Sequence, residues 1–245
     1  MNRKEYSRVR QEFQTTLRES IKLSREYTGI QSPTAQHFHA SVLFTRLCVQ
    51  STSIEALSPR LKSKPSNSVW DYMSVVSLTR NLLECYIVYF YLCIDECLPD
   101  EWNARWNLLN LHDHCTRRRL NLISEDEGRS VQEDLTDRLV NNTWFQQLSE
   151  KQRKAYLAGN NAMFLNKYDV ITRSGEDKEK FEFFYNLSSQ KAHSMPMAFY
   201  RMAEDGRGCG VECDIEIGYT GICLGICDKY LAKANEQFLE LWSFV

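Results

Sequence analysis

Residues 68–94 read SVWDYMSVVSLTRNLLECYIVYFYLCI, and this stretch decides the fold class. Val69, Met73, Val76, Arg80, Leu83, Ile87, Phe90 and Ile94 recur at alternating steps of four and three, the spacing that lays side chains along one seam of an α-helix. Seven of them are apolar and the eighth is arginine. The spacing predicts a long third helix with a cation set into its apolar stripe.

The same periodicity extends outward. Residues 3–29 are expected to form a first helix, with Tyr6, Val9, Phe13, Leu17 and Ile21 on one stripe and Gly29 ending it. Ser32 followed by Pro33 is a helix-start signal, and Pro59 closes the second helix after about Ser58. A fourth helix is expected from Pro99, with Asp100 and Glu101 where the dipole favours carboxylates. Its seam reads Trp102, Trp106, Leu109, Asp113, Thr116, Leu120 and Ile123, so Asp113 is a second charge on an inward face.

Further helices are expected over residues 131–148, after the Ser149/Gln152 capping box, and over residues 176–192; residues 160–175 give no clear pattern. Cys213, Ile215, Ile217 and Tyr219 alternate with polar residues between Gly206 and Gly221, the period of a strand, which predicts a small hairpin. The last helix follows from Thr220, with Leu224, Cys227, Leu231, Ala234, Phe238, Leu241 and Val245 on its seam.

The fold expected is therefore all-α: a bundle of six or seven helices plus one hairpin. Helices two, three, four and the last make the core, and the amphipathic segment 1–30 packs on or next to it. Scarce Gly (10) and Pro (5) beside 43% hydrophobic residues suit long helices. A length of 245 residues without a low-complexity linker fits a single domain over 1–245, with two subdomains as the alternative.

Composition also bounds location and partners. The first ten residues are charged where a signal peptide needs an apolar core, and no apolar run approaches the roughly 20 residues that span a bilayer. Nine cysteines, several at inward positions, fit reduced thiols, so the expectation is a cytoplasmic protein without membrane contact. Residues 1–80 carry 12 basic and 6 acidic side chains, whereas the whole chain has a net charge of −2. That asymmetry offers RNA a basic N-terminal third, or lets the two halves of the chain attract each other. A protein partner or a homo-oligomer is the other expected association.

Arg80 is the first candidate for chemistry, because an unpaired buried guanidinium costs several kcal/mol and is almost always paired or functional. Glu84 lies one turn on, and Asp113 is a second candidate partner. Either an ion pair fixes helix register or Arg80 faces a ligand or phosphate. Tyr185, Ser189 and His193 follow at i, i+4 and i+8, which puts phenol, hydroxyl and imidazole on one helix face. The histidine there serves either as a base or as a cap for the last carbonyls. Cys209, Cys213, Cys223 and Cys227 have spacings that zinc tolerates, but Cys227 falls in an apolar seam, and no metal or other cofactor is expected.

Arg80-Asn-Leu-Leu-Glu84 together with Tyr185-Asn-Leu-Ser-Ser-Gln-Lys-Ala-His193 resembles a widespread set of uncharacterised bacterial helical proteins. The likeness extends from about residue 35 to 245. It implies a helical fold and marks Arg80, Glu84, Tyr185, Ser188 and His193 as signature positions. A looser likeness is to HEPN proteins, helical bundles of toxin and antiphage systems that cleave RNA with an Arg-x(4 to 6)-His motif. One spacing match, Arg105 to His112, is no more than chance supplies in a chain with 5 His, and Tyr86 stands where a histidine would follow Arg80. Two functions are thus expected. One is a helical interaction or effector module of a bacterial cytosolic system, in antiphage defence or stress response. The alternative is a HEPN-like metal-independent ribonuclease using Arg80 and His193.

Overall fold

Each helix of the computed structural model, which describes residues 1–61, 68–192, 196 and 210–243 and only the backbone of residues 125–127 and 192, starts where local chemistry permits. Asn2 opens α1 (Arg3–Glu26) with a reciprocal box, accepting from the Glu5 N–H while the Glu5 carboxylate accepts from its own, both at 2.9 Å. α2 (Ala35–Leu57) is capped by Thr34 rather than Ser32. Asp71 caps α3 (Tyr72–Tyr89) through the Ser74 N–H at 3.0 Å, so Val69 of the expected seam precedes the helix. α3 continues into one π-helical turn, Phe90–Ile94, whose Cys93 carbonyl accepts the Gln36 side-chain amide at 2.7 Å.

Pro99 begins α4 (Pro99–Arg119) as expected. The single helix expected over residues 131–148 is two, α5 (Glu125–Val140) and α6 (Thr143–Gln146), because Asn142 starts a new one by accepting from the Phe145 N–H at 2.8 Å. Ser149 and Gln152 form their box at the head of α7 (Glu150–Leu157). The unreadable stretch holds α8 (Lys167–Arg173), followed by α9 (Lys178–Ala192) and α10 (Asp214–Trp242). The class is all-α. Among the described residues these ten helices outnumber the six or seven expected; α6 is split from the helix expected over residues 131–148, and α8 lies in the stretch that gave no clear pattern.

The hairpin expected between Gly206 and Gly221 is corrected from Asp214 onward, since that stretch is the start of α10. Ile217, Thr220, Gly221 and Leu224 are buried at steps of three, one and three, a helical stripe that the alternation of Ile215, Ile217 and Tyr219 disguises. Residues 206–209 lie outside the described residues.

The chain divides into two compact units. One comprises Met1–Ile94 and Ser174–Val245. Its centre is α3, whose fully buried stripe Val75, Thr79, Leu82, Tyr86 and Tyr89 packs against α2 and α10. Phe44 of α2 stacks on Phe238 of α10 with centroids 4.4 Å apart, and each such ring is worth about 1.5–3 kcal/mol when removed from water. α1 lies against α10 and α2, burying Tyr6, Phe13 and Leu17. Its polar ties are specific: Arg10 to Glu55 at 2.6 Å, Ser20 to Asn235 at 2.7 Å and Thr16 to Asp228 at 2.6 Å. The first helix is thus part of this core.

The other unit, Asp95–Arg173, has its own core of Ala104, Leu108, Leu111, Leu135, Leu139 and Phe145. α4 packs here with α5, α6 and α7, which corrects its expected place beside α2, α3 and α10. The buried face of α4 is Ala104, Arg105, Leu108 and Leu111, so the seam expected from Trp102 is rotated from it by about a third of a turn.

Candidate functional site

Where α9 crosses α3, the Arg80, Glu84 and Tyr185 side chains close into a ring. The Arg80 guanidinium donates from Nε to Glu84 Oε1 at 3.1 Å and from Nη2 to the Tyr185 hydroxyl at 3.2 Å. That hydroxyl in turn donates to Glu84 Oε1 at 2.6 Å, and the Arg80 guanidinium carbon lies 4.8 Å from the centroid of the Tyr185 ring. The i,i+4 spacing on α3 makes the Arg80–Glu84 contact, and α9 supplies the phenol from a buried position.

Arg80 is not sealed. It sits at the border of the α3 seam with 20% of its side chain exposed, while Glu84 is 46% exposed. The central stripe of α3 runs one position away, through Thr79, Leu82 and Tyr86. Partial burial is the largest influence on the Arg80 pKa and lowers it, yet the Tyr185 and Glu84 contacts together outweigh it and the pKa ends raised. Burial and the hydrogen bond to Glu84 raise the Tyr185 pKa, which keeps the phenol a donor.

Of the other expected residues, Ser188 and Ser189 are spent locally. Their hydroxyls donate to the Tyr185 carbonyl at 2.8 and 2.9 Å, and Ser188 is fully buried. His193 and Cys209 lie outside the described residues. Asp113 is corrected from a seam residue to an outward one: it is 55% exposed and pairs with Arg117 of its own helix at 2.9 Å. Cys223 and Cys227 are buried in α10, and the Cys227 thiol donates to Thr79 Oγ1 at 3.5 Å. Burial pushes the Cys223 thiol up to about 12, the opposite of what a metal ligand needs. Among the described residues no group of three His, Cys, Asp or Glu side chains is placed to hold a metal ion.

Besides Arg10, two buried cations escaped notice in the sequence. Arg105 is 1% exposed and bonded through Nη2 to Asp95 at 2.8 Å and Glu101 at 2.6 Å. Asp95 also accepts from Arg173 at 3.0 Å. His112, which shares the chance spacing with Arg105, hydrogen-bonds instead to the Gly159 carbonyl through Nδ1 at 3.1 Å. The i,i+4 pair Glu101/Arg105 was visible in sequence, but a seam drawn through Trp102 and Trp106 turned it outward. Lys191 is 8% exposed, with Nζ 5.7 and 5.6 Å from the stacked rings of Tyr72 and Tyr219. Beside Tyr72, fully buried Glu216 accepts its N–H at 3.0 Å.

Apolar groups also face outward on α2, where Phe38, Val42 and Val49 are 55%, 52% and 58% exposed. An open cleft of about 500 Å³ lies beside them, lined by Tyr27, Ile30, Phe44 and Phe238 among others. Among the described residues no helix is long and apolar enough to cross a membrane.

No curated protein and no solved structure matches the chain. A family model does: residues 37–208, a span that holds α3 and α9 with Arg80, Glu84, Tyr185, Ser188 and His193, match DUF5677, a family of unknown function, and the chain belongs to that family.

Proposed function

We propose that the chain is a helical interaction or effector module of a bacterial cytosolic system, in defence or stress response, in which the signature side chains fix architecture rather than act on a substrate. The observation that carries this reading is the closed ring of Arg80, Glu84 and Tyr185. A guanidinium that stabilises developing phosphate charge needs its own charge unmet, whereas that of Arg80 is met by the Glu84 carboxylate at 3.1 Å. The ring instead joins two helices. The outward apolar residues of α2 favour a protein partner, a second copy included, because exposed apolar patches mark contact surfaces.

The competing reading is metal-independent RNA cleavage by Arg80 with His193. Incubating purified protein with total RNA in the presence of a chelator separates the two, with Arg80→Ala and His193→Ala alongside. The interaction reading expects intact RNA from all three proteins and a lower unfolding midpoint for Arg80→Ala. Cleavage by the wild type that both folded variants lose would replace it with the ribonuclease reading.

A further inference from the structure

The C-terminal end of α4 carries three consecutive arginines, and they are not equivalent. Arg117 is neutralised by Asp113. Among the described residues no carboxylate lies within ion-pair distance of Arg118 or Arg119; both are held by neutral acceptors instead. Arg118 donates through Nη1 to the Gln132 side-chain oxygen, and its stem lies over Gly128, where an added Cβ would come within 2.9 Å of Arg118 Cδ. Arg119 donates to the Cys115 carbonyl at 3.3 Å, to Asn160 Oδ1 at 3.1 Å and to Thr116 Oγ1 at 3.0 Å. The helix dipole accounts for basic residues in this turn, and for the Cys115 contact in particular. It does not account for two side-chain amides that orient guanidiniums without discharging them.

Both arginines line the same pocket of about 360 Å³, together with Gln132, Asn160, Asn121 and Cys115. Its wall is a built turn: Gly159 adopts φ +70°, and its carbonyl is held by His112, which sets Asn160 against Arg119. The volume falls in the range of small-ligand sites. Arg118 and Arg119 bring to one concave site two positive charges met only by neutral acceptors, together with the N–H groups those acceptors leave over, the recognition chemistry of a phosphate group. Because the amide contacts hold the forks before any ligand arrives, little side-chain freedom is left to lose on binding.

We infer that this pocket, formed entirely within the Asp95–Arg173 unit, binds a small phosphorylated ligand through Arg118 and Arg119. The site is independent of the Arg80 ring and does not rest on the interaction reading.

Isothermal titration calorimetry of the full chain with inorganic phosphate, adenosine monophosphate and adenosine tests it. Saturable binding of the two phosphate compounds and none of adenosine is expected. Tighter binding of the nucleotide would assign a nucleotide, and equal affinities the free anion. Arg118→Gln and Arg119→Gln should each weaken binding by at least about tenfold, as loss of a charge-assisted fork implies. Asn160→Asp, which places a carboxylate on Arg119 without removing it, should do the same and covers the case in which an arginine variant fails to fold. The exposed Lys151→Gln is expected to change nothing. Absence of saturable binding of either phosphate compound by the wild type, or undiminished binding by the folded variants, would overturn the assignment.

Discussion

The Tyr185 hydroxyl lies 2.6 Å from Glu84 Oε1, a contact between residues 101 positions apart that ties α9 to α3. It makes one phenol both donor to a carboxylate and acceptor from Arg80. Tyr185→Phe should therefore cost about 1 kcal/mol, the usual net worth of such a hydrogen bond, with helical content unchanged. Urea unfolding of the variant checks this, and an unchanged midpoint would mean the ring contributes nothing to the fold.

Arg105 is the harsher test of buried charge. Its removal leaves Asp95 and Glu101, 11% and 21% exposed at the side chain, facing each other without their shared cation. Breaking one side of a buried ion pair costs about 3–5 kcal/mol, so Arg105→Ala should lower the midpoint far more than Tyr185→Phe does. A smaller effect than that of Asp113→Ala, an exposed pair, would contradict the packing described for α4.

Gly159 is a backbone constraint. At φ +70° an added Cβ would lie 2.9 Å from Cys115 Cβ, so Gly159→Ala combines left-handed strain with a clash. A loss of about 1–3 kcal/mol is expected, partly relieved in a Gly159→Ala/Cys115→Gly double variant that clears the clash and leaves the strain. No relief in that double variant would place the whole cost on the backbone.

Stability should fall in alkali, and the sign follows from burial. Burial pushes the Cys85 thiol up to about 11, Cys48 up to about 12 and the Tyr86 phenol up to about 12. A group with a raised folded pKa keeps its full contribution below its unfolded value and loses it as pH climbs toward the folded one. The midpoint in urea should accordingly hold up to about pH 9, the ordinary thiol value, and then decline toward 12. Tyrosinate absorbance from Tyr86 should appear only with unfolding.

The helical class and several helix starts were legible in the sequence because caps and periodicity are local: α2 and α4 begin at or beside their Pro signals, whereas α10, with Cys213 before it and no side-chain cap, begins ahead of the Thr220 expected. Rotation about a helix axis was harder to read. For α4, two tryptophans outweighed the smaller Ala104 and Leu108 and turned the seam away from Arg105. The i,i+4 spacing made the Arg80–Glu84 contact legible, but the third member of the ring arrives from α9, and no spacing within either helix encodes that meeting. The alternation at the start of α10 misled because Ile215, Ile217 and Tyr219 stand two apart, whereas the buried stripe runs through Ile217, Thr220, Gly221 and Leu224.

The central claim is that Arg80, Glu84 and Tyr185 form an architectural unit. A double-mutant cycle with Glu84→Gln and Tyr185→Phe, read by urea unfolding, measures it most directly. A coupling of about 0.5–1 kcal/mol is predicted, at the modest end because Glu84 is half exposed. Additive effects with no coupling would contradict the claim.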